Sequence, residues 1–213
     1  MSWSAPASNG VAITGYRAGA SPGPASCTAG PGATDCVIGA EAGTAYTVSV
    51  VALSAGGPSP ASSPSGSVVP SAPVVSSTPP VTSLPLDTGN GPISSASPGE
   101  ALVVKGGGYA PYSSVTIAIY SSPQVLATVR ADRLGAFEQS VTVPAGLPAG
   151  IHSFVAAGVD GDGNVRALRL DLTVAASGGS SSLPITGPAV LWLIVGGFAL
   201  TLAGVGMRLV KRQ

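Results

Sequence analysis

Prolines and glycines decide most of what this chain can fold into. The 213 residues include 20 prolines and 30 glycines, and they are scattered so that little helical periodicity survives upstream of residue 189. Each proline removes a backbone donor and fixes φ, while each glycine loosens the chain around it. What such a sequence can build is short strands, turns and extended linkers, so the part before residue 176 reads as all-β. Charged residues make up 8% and the formal net charge is zero. Nothing in that balance suggests nucleic acid or an acidic polymer as a partner.

Two stretches carry β patterning. In the first, Tyr46, Val48, Val50 and Ala52 alternate with Thr47, Ser49 and Val51, as a strand with one buried face requires. In the second, six candidate strands recur at short spacing: Ala101–Lys105, Ser114–Tyr120, Val125–Ala131, Ala136–Val143, Ile151–Gly158 and Val165–Val174. Glycine- and proline-containing turns separate them, a spacing that favours an immunoglobulin-like sandwich. Within the last strand Leu168, Leu170, Leu172 and Val174 alternate with Arg169, Asp171 and Thr173, predicting one core face and one wet face. Between the two stretches the chain is rich in Pro, Ser, Ala and Val. Residues 69–91 read as a semi-rigid polyproline-like spacer whose Ser/Thr content suggests a glycosylated stalk.

The C-terminal end follows another logic. From about Ala189 to Met207 the chain is apolar, with Thr201 as its one clearly polar side chain, and Arg208, Lys211 and Arg212 follow. As a helix rising about 1.5 Å per residue, that run matches the ~30 Å hydrocarbon core of a bilayer. Cations behind the run, with none just before it, place the C-terminus in the cytoplasm and the preceding residues outside. A lipid-anchor signal also combines small residues with an apolar tail, but its tail ends apolar, whereas this one ends Lys-Arg-Gln.

Immediately before this run stands Leu183-Pro184-Ile185-Thr186-Gly187. Pentapeptide, apolar span and basic end, in that order, resemble the cell-wall sorting signal of Gram-positive surface proteins. The resemblance implies that a sortase cysteine attacks the carbonyl of Thr186, releases Gly187 onward and passes the acyl group to an amine of the peptidoglycan precursor. The chain is then the substrate rather than the enzyme, its membrane span is transient, and its destination is the cell wall. Pro184 biases Leu183 towards extended geometry, which suits a peptide lying in another protein's groove. Residues 176–182 are a Gly/Ser lead to it. Leu84-Pro85-Leu86-Asp87-Thr88-Gly89 has one residue too many and no apolar run behind it, so it is not a second signal.

Two further resemblances cover the outward part. Trp3-Ser4-Ala5-Pro6, Ile13-Thr14-Gly15-Tyr16, the Gly43–Ala52 strand and Gly57-Pro58-Ser59 resemble a bacterial fibronectin type III module over residues 1–68. In that family the Trp lies on the second strand, so the resemblance implies a module that is N-terminally incomplete, with an exposed core. The opening residues also lack the pattern of an export signal that sorting requires, and an upstream portion is expected. Gly107-Gly108-Tyr109-Ala110-Pro111, Asp132–Phe137 and Pro148–His152 resemble an Ig-like repeat of actinobacterial surface proteins, here over residues 92–175.

Cys27 and Cys36, the only cysteines, lie in the first module. In an extracellular chain they read as a disulfide. A metal centre would need more ligands, and His152, the only histidine, lies elsewhere and reads as a half-exposed strand residue. Asp160-Gly161-Asp162-Gly163-Asn164 has the alternating oxygens of a calcium loop, but Val165 sits where that loop needs Gly, so a hairpin turn is expected. Lys105-Gly106-Gly107-Gly108 has its lysine on the wrong side for a phosphate loop. Asp132 and Glu138 read as solvated rather than as an acid pair. No catalytic residue, metal or cofactor is expected. The runner-up reading makes the chain the non-catalytic end of a secreted, wall-anchored enzyme such as a polysaccharide hydrolase.

Overall fold

A computed structural model describes residues 1–8, 10–121 and 123–176. The expected Gly/Ser lead from residue 177, the pentapeptide 183–187, the apolar span 189–207 and the cations Arg208, Lys211 and Arg212 lie outside the described residues. Among the described residues every regular element is a strand, and no helix is long and apolar enough to cross a membrane.

The second module is the better-packed body. Its strands are β5 (Asp87–Thr88), β6 (Ser95–Ala96), β7 (Ala101–Gly106), β8 (Ser114–Tyr120), β9 (Gln124–Arg130), β10 (Phe137–Thr142), β11 (Gly150–Val159) and β12 (Val165–Val174). They form a three-stranded sheet, β10-β7-β5, and a five-stranded sheet, β6-β12-β11-β8-β9. Val104, Val115, Ile117, Ile119, Phe154, Leu172 and Val174 meet between the sheets. In β12 the expected alternation is realised: Leu168, Leu172 and Val174 are buried and Leu170 packs on the same core, while Asp171 and Thr173 are exposed.

Strand β8 is buried on both faces, which a strand with one wet face cannot be. Its outer face carries Ala118 and Tyr120, which cluster with Val155 and Ala167 beneath Val75 of the Pro-rich stretch. That stretch is therefore a strap laid on the sheet rather than a spacer. Its far end belongs to the sandwich itself. Thr82 Oγ1 donates to the Ala167 carbonyl (2.9 Å), and on either side of Pro85 the Arg169 amide donates to the Leu84 carbonyl while the Leu86 amide donates to the Arg169 carbonyl (2.9 Å each). Pro85 has no N–H to extend this pairing. Leu86 then drops into the core at 2% exposure, and Asp87–Thr88 pairs with β7 of the opposite sheet. Residues 82–89, assigned to the linker from composition, thus lie at the edge of the second sandwich, and the rejected Leu84–Gly89 sequence contains its strand β5 and the Pro85 bridge to Arg169.

The first module contains β1 (Ile13–Ser21), β2 (Ser26–Ala29), β3 (Thr47–Ser54) and β4 (Gly57–Pro58), in the order β2-β1-β3-β4. Prolines keep residues 59–65 from being a regular strand, yet they still close the edge of β3. The amides of Ser59, Ser62 and Ser65 donate to the carbonyls of Ala52, Val50 and Val48, each at 2.8 Å. The hydroxyl oxygens of the same serines accept from the amides of Ala52, Val50 and Val48, each at 3.0 Å. A serine every third residue thus supplies what the proline-interrupted backbone lacks.

The modules meet through side chains. Tyr112 of the second packs against a cluster of Ala20, Ala25 and Tyr46 in the first. Ser114 Oγ accepts from the Ala42 amide at 2.8 Å. A Cβ on Gly39 would lie 2.0 Å from the Pro111 carbonyl oxygen, so only glycine fits that crossing. These contacts join the two modules into one compact unit.

Candidate functional site

The expected buried face of β3 is only partly realised. Tyr46 is buried, but Val48, Val50 and Ala52 are half-buried, as are Thr47, Ser49 and Val51. Among the described residues no second sheet covers this face. Trp3 covers one end: its amide donates to Thr34 O (2.8 Å) and its ring lies 5.3 Å from that of Tyr16, which is 1% exposed. Beside it an open groove of about 470 Å³ runs between Trp3, Tyr16, Val48 and Val50 on one side and the Ser59–Ser65 ladder on the other. Its lining has no charged side chain. Such a groove can take the apolar side chains of an extended segment.

Cys27 and Cys36 are disulfide-bonded, with Cα atoms 6.2 Å apart. The bond ties β2 to the segment whose Asp35 pairs with Ser2, so it staples the strip that carries Trp3. It supports the groove rather than lining it.

The candidates for chemistry resolve into turn and core elements. Asp160 Oδ1 accepts from the amides of Asp162 (3.0 Å) and Asn164 (2.8 Å), and Gly163 takes φ +85°. This is a hairpin turn, with the carboxylate turned onto its own backbone. The Asn164 amide, followed by that of Asp162, holds the Asp160 carboxyl below the usual aspartate value. Asp132 repeats the arrangement: Leu134 and Ala136 donate to its Oδ1 (2.7 and 2.9 Å), Gly135 has φ +74°, and its carboxyl is lowered first by Ala136 and then by Leu134. The shared signature is Asp-x-x-Gly-x, legible in both sequences. Glu138 pairs instead with Lys105 at 3.1 Å on the exposed face of β10 and β7. Among the described residues no three His, Cys, Asp or Glu side chains group as a metal site.

His152 is not half-exposed. It is 3% exposed, with Nε2 2.9 Å from the Pro148 carbonyl and Nδ1 2.6 Å from Ser121 Oγ. A carbonyl only accepts, so Nε2 donates to Pro148, and Nδ1 shares a hydrogen bond with the Ser121 hydroxyl. Burial is satisfied on both nitrogens, which is how a strand can keep its imidazole inside.

Sequence reasoning singled out Gly107–Pro111 as a phrase but assigned Tyr109 no role. Its ring is buried 5.8 Å from that of Phe137, its hydroxyl donates to Ala156 O (2.9 Å), and the Arg166 guanidinium lies 5.9 Å from its centroid. Burial pushes the Tyr109 phenol far above the ordinary tyrosine value, against a smaller lowering by Arg166. The neighbouring glycines were the available signal. A Cβ at Gly158 would come within 2.8 Å of this ring, and one at Gly135 within 1.9 Å of the Tyr109 carbonyl oxygen.

No family profile matches the chain, and no curated protein matches it. Among solved structures, the FN1–FN3 domains of chicken CNTN1 align with it at 12% identity and a TM-score of 0.27, over 82% of this chain and 61% of that one.

Proposed function

We propose that the chain is a surface protein of a Gram-positive, actinobacterial-type cell, joined by a sortase to peptidoglycan through the Thr186 carbonyl. One observation carries this reading: Leu183-Pro184-Ile185-Thr186-Gly187, an apolar run and Arg208, Lys211 and Arg212 occur in that order at the end of the chain. Two features of the described residues support it. The described β-body ends with Val174 and Ala175, whose amide donates to Ala96 O (3.0 Å), and in the sequence the Gly/Ser stretch and pentapeptide come after it. The body is all-β with a disulfide, the construction of a chain exposed to oxidising surroundings. In this reading the two joined modules serve as a spacer or binding module, and the open groove is their candidate contact surface.

Replacing Thr186 tests the anchor. In cells producing the protein, Thr186→Ala should move it from the muramidase-released wall fraction to the detergent-extracted membrane fraction. An unchanged wall fraction would overturn the proposal and leave a plain membrane anchor.

A further inference from the structure

Some hydroxyl groups of the Pro-rich segment hold the fold and others do not; that of Ser76 donates to the Thr78 carbonyl, and those of exposed Ser63, Ser67 and Ser83 enter no hydrogen bond among the described residues. Those of Ser59, Ser62 and Ser65 are committed to the β3 edge, and that of Thr82 to the Ala167 carbonyl. Those of Ser71, Ser77 and Thr78 belong to exposed residues and, among the described residues, enter no hydrogen bond.

The backbone sets Ser71, Ser77 and Thr78 apart from the serines before Pro70. The Pro70 carbonyl accepts from Gly43 and the Leu84 carbonyl from Arg169, and between them no described residue makes a backbone–backbone bond. Prolines 73, 79 and 80 keep this interval out of regular structure, with a bend at Ser77 and Thr78 where Ser76 Oγ donates to the Thr78 carbonyl. It is pinned at three places: at Pro70, at Val75 on the Ala118–Tyr120–Val155–Ala167 cluster, and at Thr82. Val74, beside the Val75 anchor, is 93% exposed, so one side of the strap meets the sheet and the other stands in water. Modification of the outward hydroxyls would break no structural bond, whereas modification of Ser59, Ser62 or Ser65 would strip donors and acceptors from β3.

We infer that Ser71, Ser77 and Thr78 are acceptors of O-linked sugar. An exposed acceptor outside regular structure, with proline on its C-terminal side and a free hydroxyl, is what a glycosyltransferase can take into a groove without unfolding its substrate. The donor is a sugar activated as a phosphate ester, either polyprenyl-phosphate or nucleotide-linked. The hydroxyl oxygen bonds to the anomeric carbon, the bond from that carbon to the phosphate oxygen breaks, the phosphate leaves with the electron pair, and the hydroxyl proton passes to a base of the transferase. The sugars then coat the face of the strap that the sheet does not cover.

The test is peptide mass spectrometry, with fragmentation that retains glycans, on the full chain purified from the cells that naturally make it. Peptides spanning residues 71–78 should gain whole hexose or N-acetylhexosamine increments that β-elimination removes. A Ser71→Ala, Ser77→Ala, Thr78→Ala variant should lose them and keep its urea midpoint. Strap peptides at the bare polypeptide mass, or sugar persisting in the triple variant, would overturn the inference. The test is independent of wall linkage: Thr186→Ala should keep its sugar while losing its wall fraction.

Discussion

Arg130 lies 4.8 Å over the ring of Tyr112, and its Nε donates to the Tyr112 carbonyl at 3.4 Å, while the same Nε stands 3.9 Å from the Glu41 carboxylate of the first module. Tyr112 has φ +65°, a conformation uncommon for a bulky residue, and it points its ring into the first module's cluster. Tyr112→Ala should therefore lower stability by about 2 kcal/mol, the transfer of a half-buried aromatic ring. Urea titration checks this, and a loss below a few tenths of a kcal/mol would show that the ring does not bind the modules together. The exposed Glu41 pair adds little, so Glu41→Gln should be nearly neutral.

The Tyr109 phenol predicts the alkaline limit. Its folded pKa is raised, so its contribution is complete below the ordinary tyrosine value of about 10 and declines above it, as the unfolded chain loses a proton that the folded one keeps. Tyr109→Phe should cost about 1 kcal/mol at neutral pH for the bond to Ala156 O. It should also flatten the stability curve above about pH 10. Equal alkaline slopes for both proteins would assign the effect elsewhere.

The acid limit rests on the two hairpin aspartates together with Asp171, whose carboxyl is lowered by the bond from Arg169 and then by that from Ser153. Asp132 and Asp160 have lowered folded pKa values, so their contribution is present above the ordinary aspartate value of about 4 and is lost as pH falls below it. Asp160→Ala should lower the urea midpoint at pH 7, and the gap to the parent should narrow as pH drops to about 2. A gap that stays constant with pH would mean that the turn depends on shape and not on the charged carboxylate.

The serine ladder makes a pattern-specific prediction. Ser62→Ala leaves the Val50 amide without its hydroxyl acceptor and should cost about 0.5–1 kcal/mol. Ser63→Ala, one residue along on the same segment but off the ladder, should be neutral. Amide exchange at Val50 reads the same effect locally, and equal protection in both variants would rule it out.

Reducing the disulfide tests the groove. The bond closes a loop of sequence separation 9, so Cys27→Ser with Cys36→Ser should cost about 2–3 kcal/mol on the chain-entropy model. Trp3 fluorescence should shift to the red as its strip loosens from Tyr16. An unchanged spectrum would show that Trp3 is held by its ring contact alone.

Much of this was legible in the sequence for a physical reason. Alternation and turn chemistry act over a few residues, so Ser114–Tyr120 and Val165–Val174 could be bounded from the sequence, and Asp160-Gly161-Asp162-Gly163-Asn164 reads as a turn because Asp and Gly there satisfy their own backbone. The cysteine pair, the only two in the chain, is bonded as the sequence expects. Tertiary structure decided what long-range packing controls. Proline content alone makes residues 69–91 a spacer, and it takes the sheet's outer face to bring Val75 down as a strap and Leu86 into the core. His152 has no local cue for burial, because its partners Pro148 and Ser121 meet it only when β11 is in place. Alternation in β3 stated which face wanted cover, and packing decided that Trp3 and three serines cover only part of it, leaving a groove.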